Sequence, residues 1–139
     1  MKGGITMKRL MAVMLLVVFA MTLAVGVNAA LPETVEPMWD NITRMTNLFS
    51  FNGSSGTSSC TLVARSGTTS IEGTITIYQQ IDGEWVFVDS TSDSSSSMVL
   101  TMSLTVDGEA DGYYMSVFEV TVTRNGVEET ASKTAYSYC

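Results

Sequence analysis

Short stretches in which apolar and polar residues alternate run from Ile42 to Tyr138, and they set the expected architecture. The stretches are rich in Thr, Val, Ile, Tyr and Phe and are separated by clusters of Gly, Asn, Asp and Ser. Alternation with a period of two is typical of β-strands with one buried face. No window of a dozen residues shows the apolar stripe of a helix. Seven strands are predicted, at residues 43–51, 58–65, 73–80, 84–90, 98–106, 112–124 and 127–138.

The connections between these stretches carry turn signals of different strength. Asp82-Gly83 and Asn125-Gly126 are the dipeptides that favour tight hairpins, so they should join the third strand to the fourth and the sixth to the seventh. The Ser-rich residues 90–97 are predicted to form a flexible loop. Residues 85–88 of the fourth strand are apolar on both faces, and we therefore expect both of its sides to be covered.

Seven antiparallel strands within about 100 residues predict an all-β sandwich of the immunoglobulin or fibronectin type III kind. This domain would span residues 42–139. A jelly roll or a barrel is the alternative, although the chain is short for either. Residues 112–114 resemble the tyrosine corner at which such sandwiches enter their sixth strand, with Tyr114 as the corner residue.

The first 29 residues have the organisation of a secretory signal peptide. Lys8 and Arg9 precede an unbroken apolar run at residues 10–27, and small residues follow, with cleavage expected after Ala29. A retained membrane anchor is the alternative, but 18 apolar residues fall short of the roughly 20 that span a bilayer.

The predicted signal peptide leads to expectations about where the chain starts, where its folded domain begins and where the protein is located. Met1 and Met7 are both candidate initiators, and residues 30–41, with two prolines, form a lead-in segment before the domain. The mature protein is predicted to be secreted to the extracellular space and to be free of the membrane once its leader is removed.

The only two cysteines, Cys60 and Cys139, are expected to form a disulfide because an even count in an exported chain is typical of a crosslinked domain. In the predicted topology the start of the second strand and the end of the seventh lie at the same end of the sandwich. Cys60 occupies the first of these positions and Cys139 the second. A free thiol nucleophile is the alternative, and the chain has no histidine to activate it.

Charge narrows the range of partners. After the leader is removed, four basic and fourteen acidic residues remain, a net charge of −10. Nucleic acids and anionic membrane surfaces would be repelled, because their affinity for proteins comes from neutralising phosphate charge. Solubility and repulsion between neighbouring copies are the simpler interpretation of the acidity.

Several short motifs are distributed over the predicted domain: Trp39-Asp40-Asn41-Ile42, Cys60, residues 71–79, Trp85, residues 112–114, residues 126–130 and Cys139. With these motifs, residues 39–139 resemble a family of small, secreted, uncharacterised bacterial proteins that combine a signal peptide with a disulfide-closed β-sandwich. The resemblance implies export and fold, and it implies no catalytic activity because the shared motifs are structural.

One acidic stretch invites a metal-site interpretation. Asp107, Glu109 and Asp111 alternate as do the first ligands of an EF-hand calcium loop, with a glycine following. The twelfth position is Phe118 rather than the bidentate glutamate, so a solvated turn is favoured over a calcium site. No other cofactor is expected.

A glycosidase hydrolyses its substrate with a pair of carboxylates, and this chain has enough acidic residues to supply such a pair. No aromatic platform surrounds any one pair, however, so we expect that the protein is not an enzyme.

The outward positions of the sixth strand are unusually apolar. Tyr113, Met115 and Val117 lie there, and together with Trp85 or Phe87 they form a candidate binding surface on the four-stranded sheet. The alternative is that the lead-in segment covers them, with Trp39 in contact.

Two functions fit these features. The favoured one is a non-catalytic recognition module at the cell surface or in the medium, with a protein or glycan partner. The alternative is a structural or assembly protein in which an edge strand pairs with another chain. An exposed aromatic platform would favour the first, and a long uncharged edge strand the second.

Overall fold

The computed structural model describes residues 38–139. The predicted signal peptide, the two candidate initiators and lead-in residues 30–37 lie outside the described residues. Within 38–139 no helix is long and apolar enough to cross a membrane. The seven strands are β1 (Ile42–Asn52), β2 (Ser55–Ala64), β3 (Thr68–Ile81), β4 (Glu84–Ser95), β5 (Val99–Asp107), β6 (Tyr113–Arg124) and β7 (Val127–Tyr138).

The strands form two antiparallel sheets packed face to face. One sheet has three strands in the order β1-β2-β5, and the other has four in the order β4-β3-β6-β7. Seven strands divided in this way make a sandwich of the immunoglobulin or fibronectin type III kind, and the predicted fold class is confirmed. The edges of the two sheets are β1 and β5 on one side of the core and β4 and β7 on the other.

Both predicted hairpins are present. Asp82 and Gly83 have φ angles of 52° and 80°, and Asn125 and Gly126 have φ angles of 50° and 76°. Positive φ at both central residues defines the turn whose twist matches that of the strands it joins. Aspartate, asparagine and glycine reach this region most readily, because short polar side chains bond locally and glycine has no Cβ.

The core is built from the inward positions of both sheets, as alternation predicted. Leu62, Ile71, Ile75, Ile77, Phe118 and Val122 are completely inaccessible to solvent. In β5, Leu100, Met102 and Val106 are buried, whereas Met98 precedes the strand and is 47% exposed. Because apolar burial stabilises in proportion to the area removed from water, this interior is the main source of stability.

The fourth strand differs from the prediction in length and cover. It continues to Ser95, so most of the predicted Ser-rich loop is strand. A register shift leaves Val88 without a partner between the pairs Ile77–Asp89 and Tyr78–Phe87. Val88 packs against the core, but Val86 and Phe87 remain 44% and 59% exposed within the described part of the chain. The expectation that both sides of this segment are covered is therefore not met there.

Asn47 links the two sheets through a buried polar network. Its amide donates to the carbonyl oxygens of Ser116 and Lys133 at 2.9 and 3.0 Å. Its side-chain oxygen accepts from the Ser58 hydroxyl at 3.0 Å, and the Ser58 and Ser116 hydroxyls lie 2.7 Å apart. No buried side-chain nitrogen or oxygen among residues 38–139 lacks a partner, so the polar interior carries no desolvation penalty from unpaired groups.

The predicted disulfide is absent, and Cys60 and Cys139 are separate thiols. The prediction placed Cys60 at the start of its strand, whereas β2 begins at Ser55 and Cys60 lies in its middle. Cys139 lies beside the start of β2, with its sulfur 3.6 Å from the carbonyl oxygen of Gly53 in the preceding turn. Cys60 lies five residues along β2 from Ser55, a rise of about 17 Å. A disulfide needs its two Cα atoms within about 7 Å, so Cys60 is too far from Cys139 to form one.

Burial also disfavours reaction at the first of these thiols. Desolvation raises the pKa of Cys60, and a hydrogen bond from the Ser58 hydroxyl offsets part of that increase. The thiolate is the reactive form of cysteine, so a raised pKa keeps Cys60 protonated and slow to oxidise at neutral pH.

The predicted tyrosine corner is confirmed. Tyr114 is 1% exposed, and its hydroxyl oxygen accepts a hydrogen bond from the Glu109 backbone N–H at 2.8 Å. This bond fixes the loop between β5 and β6 against the start of β6, the element that presents Tyr113 on the opposite face.

Candidate functional site

The predicted surface residues meet on the outer face of the four-stranded sheet. Tyr113, Met115 and Val117 occupy alternate outward positions of β6 and are half-buried. Trp85 approaches from β4, with its ring centroid 5.6 Å from that of Tyr113 although β3 separates their strands. Trp85 and Tyr113, two of the predicted surface residues, are therefore neighbours in the structure.

Two tyrosines of β7 complete the surface. We define the aromatic cluster as Trp85, Tyr113, Tyr136 and Tyr138. Tyr113 stacks on Tyr138 with ring centroids 4.3 Å apart and 24° between the planes, and on Tyr136 at 5.8 Å and 18°. Trp85 is tilted against Tyr136 at 5.9 Å. Four rings from three strands therefore form one contiguous group.

Much of this aromatic area faces solvent. Tyr136 and Tyr138 are 53% and 69% exposed. Next to the aromatic cluster, Phe87 is 59% exposed and meets Tyr78 edge-on with centroids 6.5 Å apart. Single exposed apolar residues are ordinary on a protein surface, whereas a contiguous exposed group of aromatic rings is a candidate interaction surface.

Sequence reasoning missed Tyr136 and Tyr138, although the signal was present. The Asn125-Gly126 hairpin sets the register of β6 and β7, which pairs Tyr113 with Tyr138 and Met115 with Tyr136. Counting outward from that turn would have placed both tyrosines beside the predicted surface.

The described part of the lead-in does not cover the aromatic cluster. The backbone N–H groups of Asp40 and Asn41 donate to the two carboxylate oxygens of Glu129 at 2.9 and 3.0 Å. The Asn41 amide donates to the carbonyl oxygens of Val122 and Val127. These partners flank the β6–β7 turn, whereas the aromatic cluster lies at the opposite end of the same strands. Trp39, adjacent to this anchor, packs against the core instead.

The acidic stretch between β5 and β6 acts as a turn in the structure. Glu109 accepts a hydrogen bond from the Gln79 amide at 3.3 Å, and its carbonyl accepts one from the Gly112 N–H. Asp107 ends β5, and Asp111 has a φ of 62°. Within residues 38–139 no three acidic or sulfur-bearing side chains converge as metal ligands. Calcium binding by Asp107, Glu109 and Asp111 stays the untested alternative to a solvated turn.

The rest of the outer face is polar and shallow. Hydroxyl pairs cross from β3 to β4, with Thr74 and Ser92 2.9 Å apart and Thr76 and Ser90 3.3 Å apart. Beyond them lies an open depression of about 490 Å³, lined by Glu72, Thr74, Glu119, Thr121, Thr130 and Ser132 among others. One face of the sheet therefore presents aromatic rings at one end and hydroxyls with two carboxylates at the other.

Comparisons with known proteins give only distant structural similarities. No protein-family model matches the chain, and no curated protein matches it. Among solved structures, it is similar to a β-glucuronidase from Parabacteroides merdae, with 12% identity and a TM-score of 0.46 over 69% of this chain and 13% of that one. It is similar to the ASH/PapD-like domain of human CEP192, with 14% identity and a TM-score of 0.44 over 78% and 94% of the two chains.

A third similar structure is the sporulation control protein Spo0M from Bacillus subtilis, with 8% identity and a TM-score of 0.40. That match covers 73% of this chain and 51% of Spo0M. The chain spans about an eighth of the glucuronidase chain it matches. These proteins differ in their described roles.

Proposed function

We propose that this chain is an exported, non-catalytic recognition module that binds its partner through the aromatic cluster. The observation that carries the proposal is the contiguous exposure of aromatic rings on an otherwise polar, acidic domain. Aromatic residues are enriched where proteins bind one another, since they bury a large area at a small cost in side-chain entropy. Export would follow from the leader predicted at residues 1–29.

The rigidity of the strands that carry the aromatic cluster also favours a role in binding. The tyrosines project from two strands that pair over their full length, from Arg124–Val127 to Tyr113–Tyr138. The Tyr114 hydroxyl bond holds the adjoining loop. A surface held by paired strands loses little conformational freedom on binding, which leaves more of the contact energy as affinity.

The test is co-sedimentation of the exported protein with insoluble envelope material from the producing cell. The wild-type protein should be retained, and Tyr136→Ala and Tyr138→Ala should each reduce the bound fraction severalfold by removing exposed rings. Leu48→Ala is the matched control, because Leu48 is an equally exposed apolar residue on the other sheet. Retention that these variants leave unchanged would contradict a role for the aromatic cluster.

Edge-strand pairing is the second candidate, and β5 is the observation that favours it. On β4, Asp89 and Asp93 accept bonds from the following backbone N–H groups at 2.8 Å, which occupies part of that edge. On β1 and β7, the Lys133 ammonium reaches the Met45 carbonyl oxygen at 3.1 Å. The β5 edge carries no charged residue before Asp107. Retention that is unaffected by the tyrosine variants but is accompanied by self-association in sedimentation would favour this candidate.

A further inference from the structure

The outer face of the four-stranded sheet has a charge pattern that points to the chemistry of its partner. Its outward positions include Glu72, Glu119 and Glu128, and within residues 38–139 they include no Lys or Arg. Three of the four described basic residues are held by backbone carbonyls elsewhere: Arg65 by Trp39, Arg124 by Ser66 and Lys133 by Met45. Arg44 lies on β1, in the other sheet. A ligand on this face meets negative charge only.

The aromatic cluster suits a cation better than a flat neutral ring. Tyr113 is stacked against Tyr138 at 4.3 Å, so these two rings cover part of each other's faces. A sugar that needs a wide platform of coplanar rings finds less area here than the number of rings suggests. The faces and edges that remain on Trp85, Tyr136 and Tyr138 are electron-rich, and they attract an ammonium or a guanidinium group.

The two parts of the face are separated by a distance that a short extended chain can span. Tyr113 and Glu119 are six residues apart on β6, a separation of about 20 Å along the strand. Glu72, on β3, lines the same depression as Glu119. Threonine and serine hydroxyls lie between the aromatic cluster and these carboxylates, where they can bond the main chain of a peptide.

We propose that this face binds an extended, basic peptide segment with two arginines about six residues apart. One guanidinium lies over the aromatic cluster, and the other pairs with Glu119 and Glu72. Arginine fits both ends, since its planar group stacks on aromatic rings and makes bidentate bonds to carboxylates. This inference rests on the proposed function and adds the partner's chemistry to it.

The experiment is a titration of the isotope-labelled protein, followed by NMR, with synthetic peptides capped at both ends. The main probe has two arginines separated by five Gly and Ser residues, and a second has them separated by one. The first should bind about threefold more tightly, because only its spacing lets both arginines engage at once. Its affinity should fall severalfold as sodium chloride rises from about 50 to about 500 mM.

Variants separate the two ends of the site. Trp85→Ala should weaken the longer-spaced peptide about threefold to fivefold, as expected for the loss of an exposed cation–π contact. Glu119→Gln should weaken it by a similar factor and abolish the preference for spacing. Leu48→Ala, on the other sheet, should change nothing. If Trp85→Ala does not fold, Tyr138→Ala serves in its place, since that side chain is 69% exposed.

Three results would overturn the inference. They are equal binding of a peptide with glutamates in place of the arginines, no binding at about 5 mM peptide, and tighter binding of a neutral linear hexasaccharide. In the last two cases, envelope retention that still depends on Tyr136 and Tyr138 would leave the proposed function standing. Loss of both retention and peptide binding would overturn both.

Discussion

Single polar side chains in the interior decide how the two sheets fit together. Asn47 is 7% exposed and touches backbone on β6 and β7 of the opposite sheet. Ser58 and Ser116 complete its bonds from the two sides. A buried amide is costly unless every bond is made, so this arrangement tolerates only one relative position of the sheets. Apolar contacts alone are less selective, because they have no direction.

Tyr114 allows a test at the scale of one hydroxyl group. Tyr114→Phe keeps the buried ring but leaves the Glu109 N–H without its partner, and we expect a loss of about 1 kcal/mol in the free energy of unfolding. Chemical denaturation measures it. Tyr138→Phe is the control, because it removes a hydroxyl from an exposed ring and should cost less than about 0.5 kcal/mol. Equal effects of the two variants would show that the corner bond contributes nothing.

Elements are joined at their ends by contacts that local pattern does not reveal. The segment entering β1 is tied to β7 by Glu129, whose two carboxylate oxygens accept from the N–H groups of Asp40 and Asn41. The edge strands β1 and β7 of the two sheets are thereby linked at the end of the sandwich that holds the β6–β7 turn. The other two edge strands, β4 and β5, differ from each other. Strand β4 bears aspartates and an unpaired residue at Val88, whereas β5 is uncharged for most of its length.

Glu129→Gln tests the link between the lead-in and β7. The substitution keeps one acceptor oxygen and places an N–H₂ group against a backbone N–H, so one of the two bonds is lost. Hydrogen exchange at the Asp40 and Asn41 amides should become about tenfold faster, equivalent to about 1.4 kcal/mol of local stability. Glu128→Gln, at the neighbouring exposed carboxylate, is the control and should leave both amides unchanged. Unaltered exchange in Glu129→Gln would contradict the link.

On the scale of the whole molecule, the sandwich is closed without a covalent crosslink. Gly73 shows how closely the sheets approach, since a Cβ at this position would lie 2.7 Å from Leu100 and 2.9 Å from the sulfur of Met102 on the opposite sheet. Packing at that density makes dispersion contacts collectively strong, although each is small. Stability therefore depends on the core and the buried polar network rather than on a disulfide.

Thiol counting tests this conclusion. Protein unfolded in guanidinium chloride without a reductant should yield two reactive thiols, and reduction of the native protein should leave its melting temperature unchanged. Cys139→Ser should yield one thiol. A count of zero, with a melting temperature that falls on reduction, would restore the crosslink, which would be worth about 4 kcal/mol for so long a loop.

The aromatic cluster was partly predictable from the sequence. Trp85, Tyr113 and Met115 were identifiable because apolar residues at outward positions of a predicted strand contradict the alternation around them. Tyr136 and Tyr138 follow from the register of one hairpin, which is local information. The sequence predicted that Trp85 and Tyr113 share one face, but the direct contact of their rings across β3 was not predictable, because it depends on which strands share a sheet and on the orientation of side chains.

The sequence by itself determined the number of strands, both type I′ hairpins, the corner tyrosine and the inward residues. Each of these depends on a two-residue period or on turn chemistry within a few residues. Only the tertiary structure decided the length of β4, the separation of Cys60 from Cys139, and the joining of four rings into one surface. Those features depend on where strands begin and on what lies across from them, which is set by packing between segments distant in the chain.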